Sequence, residues 1–526
     1  MKRLPINFSA IAVLAAAWLT LAYSAPLLES LNAYHVSTGM QLKFLIFIFC
    51  FYGLILSLSR ALNLFKPIVI ILIMMAAPIA YFMQQYGILI DADMLINTLE
   101  TDPAEASDQL SAGLFFSIVL WGIVPSLLLS LVPLPTVWSK VQMSYVAVSV
   151  VAFSVISVGI AYTNYDEFAS LFRNQRDVKY RVVPFNAISA GVSVLKQSMQ
   201  KPHQFIVLAE DARQFRRLAK PRVMVVVVGE TVRADHLALN GYARPTTPKL
   251  SALAQSESLL SFTNAQSCGT ATAVSVPCMF SLVGAENYSP IVRQSTNVLD
   301  VLVTAGLQVT WVENNSGCKD VCNRVNTITL DKNRCANSVC YDIEMLDELK
   351  NLLTQVRNDS VIVLHQMGSH GPAYFERSPQ FLKQFLPECK SSVLSDCTQQ
   401  EIINAYDNSL LVTDQLISEV ISVLQSYDNF DSSLMYVSDH GESLGDNGIY
   451  LHGLPNWLAP REQRHVAWLA WPAEQFSALP SGSAEITHDN FSHTVLGYFN
   501  VATEVYIKGL DLTQHSEVYA HAPATP

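Results

Sequence analysis

Five long apolar stretches, at about 8–28, 42–59, 67–84, 113–133 and 144–163, all fall before residue 165 of a 526-residue chain. Each is close to the roughly 20 residues that a helix needs to cross a bilayer. Hydrocarbon offers the backbone no hydrogen-bond partner, so such stretches fold as helices that satisfy themselves. A cleaved leader would account for Lys2-Arg3 and the first stretch, but not for four more. Lys2, Arg3, Arg60, Lys66 and Lys140 fall on one side, which the positive-inside rule makes cytoplasmic, with Lys43 the one dissenter. The 85–112 loop has no Lys or Arg and carries six acidic residues, so it lies outside, as does everything after 165. The expected division is a five-span domain over 1–164, a bridging helix or linker over 165–220, and an external domain over 221–526.

The cysteines follow the same division. Cys50 sits within the second span, whereas Cys268, Cys278, Cys318, Cys322, Cys335, Cys340, Cys389 and Cys397 fall in the external part. An oxidising compartment favours disulfides over structural zinc, and short separations favour neighbours: 268–278, 318–322, 335–340 and 389–397. The net charge of −11 and the lack of any basic run argue against nucleic acid as a partner.

The external part reads as α/β. Continuous β-branched runs at 222–228, 360–364 and 433–437 look like parallel strands buried on both faces. Helical patterns at 247–256, 342–357 and 400–426 alternate with them. Each strand ends in side chains that can hold a metal: Glu230, then His365 and His370, then Asp439 and His440. Ligands of open α/β sheets bind outside the carboxyl ends of the strands. A small-residue turn, Ser267-Cys268-Gly269-Thr270-Ala271-Thr272, supplies a candidate nucleophile in Thr270. Glu230, Asp439, His440 and the Thr270 oxygen make four ligands, the usual number for zinc. A metal on that hydroxyl would lower its pKa and screen an incoming phosphate.

His370 and His452 are open to three roles: a second metal, protonation of a leaving group, or a grip on the substrate phosphate. His365 stands evenly between substrate side and structure, and His465 is equally balanced. Structural or supporting roles are expected for His236, His488 and His493. In the 85–112 loop, Asn97, Thr101 and Glu105 recur at i, i+4 and i+8. A short helix would put them on one face, as a headgroup grip or as a plain solvated surface.

The combination resembles the phosphoethanolamine transferases of Gram-negative inner membranes, which include lipid A modifying enzymes and the mobile colistin-resistance enzymes. Beyond the five spans, the resemblance is carried by Gly229-Glu230-Thr231-Val232-Arg233-Ala234-Asp235-His236, Asn240-Gly241-Tyr242 and Thr246-Thr247-Pro248. It continues through Ser267-Cys268-Gly269-Thr270, the 365–372 segment, Ala405-Tyr406-Asp407-Asn408 and Ser438-Asp439-His440-Gly441-Glu442.

What the resemblance implies is a periplasmic catalytic domain of alkaline-phosphatase or sulfatase type. A threonine at Thr270 would take phosphoethanolamine from phosphatidylethanolamine, leaving diacylglycerol, and pass it to a lipid A phosphate, conferring polymyxin and colistin resistance. One zinc ion would be tightly bound by Glu230, Thr270, Asp439 and His440. A second ion, or substrate, would meet His370 and His452, with His365 in the substrate-side set. Asn97, Thr101 and Glu105 would form a headgroup pocket with Ser316 and Lys319. The chain is expected to act as a monomer. Within enzymes the alternatives are a core-sugar or other periplasmic glycan acceptor, a phosphoglycerol transferase, or a sulfatase. The sequence lacks the Cys/Ser-x-Pro-x-Arg segment that a sulfatase nucleophile needs. Outside enzymes, the alternative is a membrane-anchored binding or sensor protein, which the intact set Glu230, Thr270, Asp439 and His440 disfavours.

Overall fold

The computed structural model describes residues 8–101, 106–107, 109–134, 139–199, 205–215, 219–256, 258–289, 293–331, 335, 340–476 and 485–513. Two compact units emerge, one of Met1–Leu95 with Leu110–Gln197, the other of Ile96–Gln109 with Ser198–Pro526.

The first unit is helical. Four helices, Thr38–Ala61, Phe65–Tyr86, Ala112–Leu131 and Lys140–Thr163, are each long and apolar enough to cross a membrane. The first expected span instead breaks into Phe8–Leu21 and Ala25–Ala33, bent by 50°. Pro26 explains the break: it sits in the first turn of the second piece, where its missing N–H costs nothing, and it cannot continue the first. Counting the bent pair as one gives the five expected spans. Close packing rests on small residues: a Cβ at Gly53 would lie 2.4 Å from the Phe153 ring. The unit runs to Gln197 and so includes the helix Tyr165–Asn174 and all but the last two residues of the helix Phe185–Met199. Asp177 ties the turn between them to the Ala25–Ala33 helix, accepting from Ser30 Oγ at 3.0 Å and from Arg181 Nε at 2.9 Å.

The second unit is built on a seven-stranded sheet. In chain order its strands are β1 (Arg222–Gly229), β2 (Leu260–Ser261), β3 (Gln308–Glu313), β4 (Asn326–Thr329), β5 (Ser360–His365), β6 (Asp431–Ser438) and β7 (Trp468–Trp471). Their spatial order is β2-β7-β6-β1-β5-β3-β4. β6, β1, β5, β3 and β4 run parallel, and β7 and β2 close one edge antiparallel. The Val run of β1 is the centre of this sheet and is buried throughout, as a strand covered on both faces must be. Helices Pro248–Gln255, Met345–Thr354 and Gln399–Gln425 fall where the periodicity places them. The last starts at a capping box between Thr398 and Glu401. The four disulfides join the neighbours: Cys268–Cys278, Cys318–Cys322, Cys335–Cys340 and Cys389–Cys397.

The loops at the carboxyl ends of the strands pack tightly against one another. A Cβ at Gly441 would lie 2.0 Å from the Glu462 carbonyl oxygen, which is backbone and cannot swing aside. Gly441→Ala should therefore destabilise the protein by about 1–3 kcal/mol. Gly509→Ala, with nothing within 4 Å, should stay within about 0.5 kcal/mol. Thermal unfolding of both variants checks this, and equal midpoints would contradict it.

Candidate metal and phosphoryl site

The register of three parallel strands assembles the site. Gly229 at the end of β1 lies opposite Ser438 of β6, and Val228 opposite His365 of β5. The next residues are therefore neighbours: Glu230 from β1, Asp439 and His440 from β6, and the 366–370 turn from β5. Backbone bonds fix them, Asp439 N–H to the Gly229 carbonyl at 2.9 Å and Ser369 N–H to the Glu230 carbonyl at 3.0 Å. Only a residue without Cβ fits the turn at Gly368, where φ is +55° and a Cβ would lie 2.6 Å from the Glu230 oxygen. Thr231 is held at φ +56°, strained for a β-branched residue, by its amide on Asp439 Oδ1 at 3.2 Å.

Glu230, Asp439 and His440 are fully buried, and their ligating atoms lie within 4.8 Å of one another. His440 Nε2 is 3.2 Å from Glu230 Oε1 and 3.4 Å from Asp439 Oδ2. His440 Nδ1 lies 2.9 Å from the Gly441 carbonyl; placing the proton there leaves the Nε2 lone pair facing the carboxylates. Asp439 Oδ1 accepts from the His440 amide at 2.7 Å, but the buried Oδ2 takes no hydrogen bond from the described residues. A bare carboxylate oxygen, a second carboxylate and an imidazole nitrogen converging away from water form the donor set of a divalent cation. The residues fit such an ion.

The charges agree with that reading. Burial and then the nearby Glu230 push the Asp439 carboxyl up to about 7. Burial would lower the His440 imidazole, but Asp439 and Glu230 together raise it to about 10. Burial would likewise raise Glu230, yet His440, with His370 and His452 behind it, holds it well below the usual carboxylate range. Without a cation, protons neutralise the cluster.

The threonine that meets this cluster is Thr272. Its hydroxyl lies 3.1 Å from Glu230 Oε2 and 3.3 Å from His440 Nε2. Thr272 opens the Thr272–Met279 helix, whose N-terminal end favours negative charge on that oxygen. Thr270, expected as nucleophile and ligand, is not brought there. Its hydroxyl donates to the Leu454 carbonyl at 2.6 Å, and its own carbonyl accepts the Gly453 N–H at 2.8 Å. Thr270 is a clasp that holds the loop following His452 against the turn. The physical reason is the helix start: the chain turns from extended at Ala271 into the Thr272–Met279 helix, so the direction set for Thr270 does not carry over to Thr272.

His370 and His452 do gather beside the trio, with ring centroids 5.5 Å apart and His452 4.3 Å from His440. Each keeps a sliver of exposed surface, 5% and 8%, against none for the trio. His452 Nδ1 is held by Glu442 Oε2 at 3.1 Å. Burial, then the charge of His440, lowers the His452 pKa.

His365 differs from expectation. It has no exposed surface, and its Nδ1 sits 3.0 Å from both oxygens of Glu313. Burial would lower its pKa, but Glu313 raises it. Its link to the cluster runs through Asn315, whose Nδ2 donates to Glu230 Oε2 at 2.9 Å and lies 3.4 Å from His365 Nε2. A strand's last residue still points into the packed layer, so His365 supports the site from below. His488 is also supporting: it meets the Ser438 carbonyl at 3.1 Å and the Cys268 amide at 3.3 Å. Burial lowers its pKa to about 4, which keeps it neutral. His236 is held by Asp407 at 2.9 Å, and His493 Nδ1 accepts the Ile507 N–H at 3.1 Å.

Ser316 and Lys319 line a cavity of about 460 Å³ with Glu100, Glu313 and Asp320. Lys319 Nζ donates to Ser316 Oγ and to the Glu100 carbonyl, each at 3.2 Å. Asn97 lies in the Ala92–Glu100 helix, which ends before Thr101; Thr101 Oγ1 turns back to the Asn97 carbonyl at 2.9 Å. Neither lines the described wall of that cavity. Glu105 lies outside the described residues. The sequence reading missed Thr272, Asn315 and Glu442. Of these only Thr272 left a signal, as the first residue of an apolar helical run.

A family model described as Phosphoethanolamine transferase EptA/EptB matches residues 47–199, and one described as Sulfatase matches residues 222–501. Phosphatidylethanolamine transferase Mcr-1 of Escherichia coli is 39% identical over 469 residues, spanning 85% of this chain and 86% of that protein. Phosphoethanolamine transferase EptA of Escherichia coli strain K12 is 33% identical over 482 residues, spanning 88% and 87%. The solved structure of the integral membrane lipooligosaccharide phosphoethanolamine transferase A (EptA) from Neisseria meningitidis superposes with a TM-score of 0.89 at 32% identity, covering 96% of this chain and 98% of that one.

The cluster makes a prediction about cation binding. The His440 imidazole, held near 10 without an ion, must release its Nε2 proton before that nitrogen can ligate. Zinc added to chelator-stripped protein at pH 7 should expel at least one proton and bind more tightly as pH rises. Asp439→Asn should lose the site. Calorimetry in buffers of different ionisation enthalpy checks this; a pH-independent affinity would contradict it.

Proposed function

This chain belongs to the phosphoethanolamine transferases, and we propose that it moves phosphoethanolamine from phosphatidylethanolamine, through Thr272, to a lipid A phosphate. It is a membrane protein of the Gram-negative cell envelope with its α/β unit in the periplasm. The observation that carries the chemical reading is the Thr272 hydroxyl, 3.1 Å from Glu230 and 3.3 Å from His440 at a helix N-terminus.

Glu230, Asp439 and His440 would hold one zinc ion beside Thr272. When bound, zinc there lowers the pKa of a neighbouring hydroxyl and offsets phosphate charge. In the first half-reaction Thr272 Oγ1 attacks phosphorus, the bond to diacylglycerol breaks, and the diacylglycerol oxygen takes a proton. Thr272 is left as the phosphoethanolamine ester, a covalent stage that implies ping-pong kinetics. In the second half-reaction a lipid A phosphate oxygen attacks that phosphorus, and the Thr272 oxygen regains its proton. His370 and His452 face the open side, where leaving and entering oxygens exchange protons. Glu442 fixes Nδ1 of His452 and so presents Nε2 for that exchange. Asn315 fixes one oxygen of Glu230, and Ser316 and Lys319 offer a hydroxyl and a cation in the cavity they line with Glu100 and Glu313. The product caps an anionic phosphate with an ethanolamine cation. The cell surface then attracts cationic polymyxins less strongly, which is the route to colistin resistance.

Expression in a polymyxin-sensitive Gram-negative host, followed by mass spectrometry of lipid A, tests this. Wild type should add a phosphoethanolamine mass, and Thr272→Ala none. Thr270→Ala should retain part of the activity, since it loses a clasp and not the nucleophile. Thr270→Ser, which keeps the hydroxyl, should behave as wild type. Modified lipid A from Thr272→Ala would sink the covalent route. Modification found only in core oligosaccharide would move the acceptor.

A further inference from the structure

The helix that carries Thr272 contains a proline, Pro277. Proline has no N–H, so the carbonyl four residues earlier, that of Ala273, loses its donor within the helix. Ala273 adjoins Thr272 and is fully buried, where an unsatisfied carbonyl is costly. The donor that replaces the missing N–H is the Arg293 guanidinium, whose Nη2 meets the Ala273 carbonyl.

The same guanidinium turns its other edge to Glu100. Arg293 Nη1 lies 2.6 Å from Glu100 Oε1, and Nη2 lies 3.5 Å from Oε2. The side chains are 15% and 30% exposed, so the pair is only partly screened by water. Glu100 is the last residue of the Ala92–Glu100 helix, between Asn97 and Thr101. Its own carbonyl, left without a helical partner at that end, accepts from Lys319 Nζ at 3.2 Å. Residues 96–101 are thus fastened at both ends of Glu100. The side chain goes to the helix of Thr272, and the backbone to the Ser316–Lys319 turn.

We propose that Arg293 is a positioning residue that couples the 96–101 segment to Thr272, so that this segment and the attacking oxygen keep one geometry. The coupling rests on the reading that Thr272 attacks phosphatidylethanolamine. Pro277 is part of the device, because it frees a carbonyl beside the nucleophile that an outside cation can take. Glu100 is part of it too: satisfied by Arg293, its carboxylate serves as an anchor and leaves the ethanolamine cation to other groups.

The test uses the full chain in detergent with a fluorescent phosphatidylethanolamine, and reads diacylglycerol release, zinc content and thermal unfolding. Arg293→Gln and Glu100→Gln should each slow release on the order of tenfold to a hundredfold, the scale of a small misplacement of reacting groups. Zinc content should stay at the wild-type level. The double variant should be no slower than Arg293→Gln alone, since both changes break one link.

Pro277→Ala in the Arg293→Gln background returns an N–H to the Ala273 carbonyl. It should recover unfolding temperature but not the release rate. Release at the wild-type rate by Arg293→Gln would overturn the proposal while leaving the transferase reading intact. So would recovery of rate together with stability on adding Pro277→Ala, because Arg293 would then only be satisfying a helix. A wild type that releases no diacylglycerol would overturn the transferase reading, and the coupling with it.

Discussion

Two carboxylates and an imidazole that share one dry pocket set the terms for everything around them. Glu230 and Asp439 are brought together by the register of β1 and β6 and are both fully buried, with His440 Nε2 within 3.4 Å of each. Two such charges cannot stay side by side away from water without a cation or protons between them. The fold keeps them there because the backbone leaves no alternative. The Asp439 amide is spent on Gly229, and the Thr231 amide on Asp439.

The remaining polar groups make sense as supports for that pocket. The Gly441 carbonyl sets the tautomer of His440, Asn315 steadies Glu230, and Glu442 orients His452. Beneath Asn315 the buried His365–Glu313 pair holds the end of β3 beside that of β5. These contacts are individually modest, but each removes a rotation that a reacting group would otherwise have to lose at the transition state.

Thr270 and Thr272 show how far a pattern reaches. The turn Cys268-Gly269-Thr270-Ala271-Thr272 offers two hydroxyls two residues apart, and chemistry alone prefers neither. The helix begins at Thr272, and that decides which oxygen faces Glu230 and which one clasps Leu454. His365 makes the same point. A histidine at a strand end has the right chemistry for a ligand, yet its last half-turn of direction sends it under the site.

The apolar runs, the β-branched strands, the neighbouring cysteines and the carboxylates and histidines at strand ends were all determined by the sequence itself. They follow from local hydropathy, side-chain period and short loop closure, none of which needs a distant partner. The break of the first span at Pro26 was equally local in cause, though a hydropathy window averages across it. Tertiary structure alone decided which threonine meets the carboxylate–imidazole cluster, that His365 lies beneath it, and that Arg293 replaces the donor missing at Pro277. Those outcomes depend on angles between elements far apart in the chain. A side chain's direction at the end of a strand or the start of a helix is fixed only when its neighbours close around it.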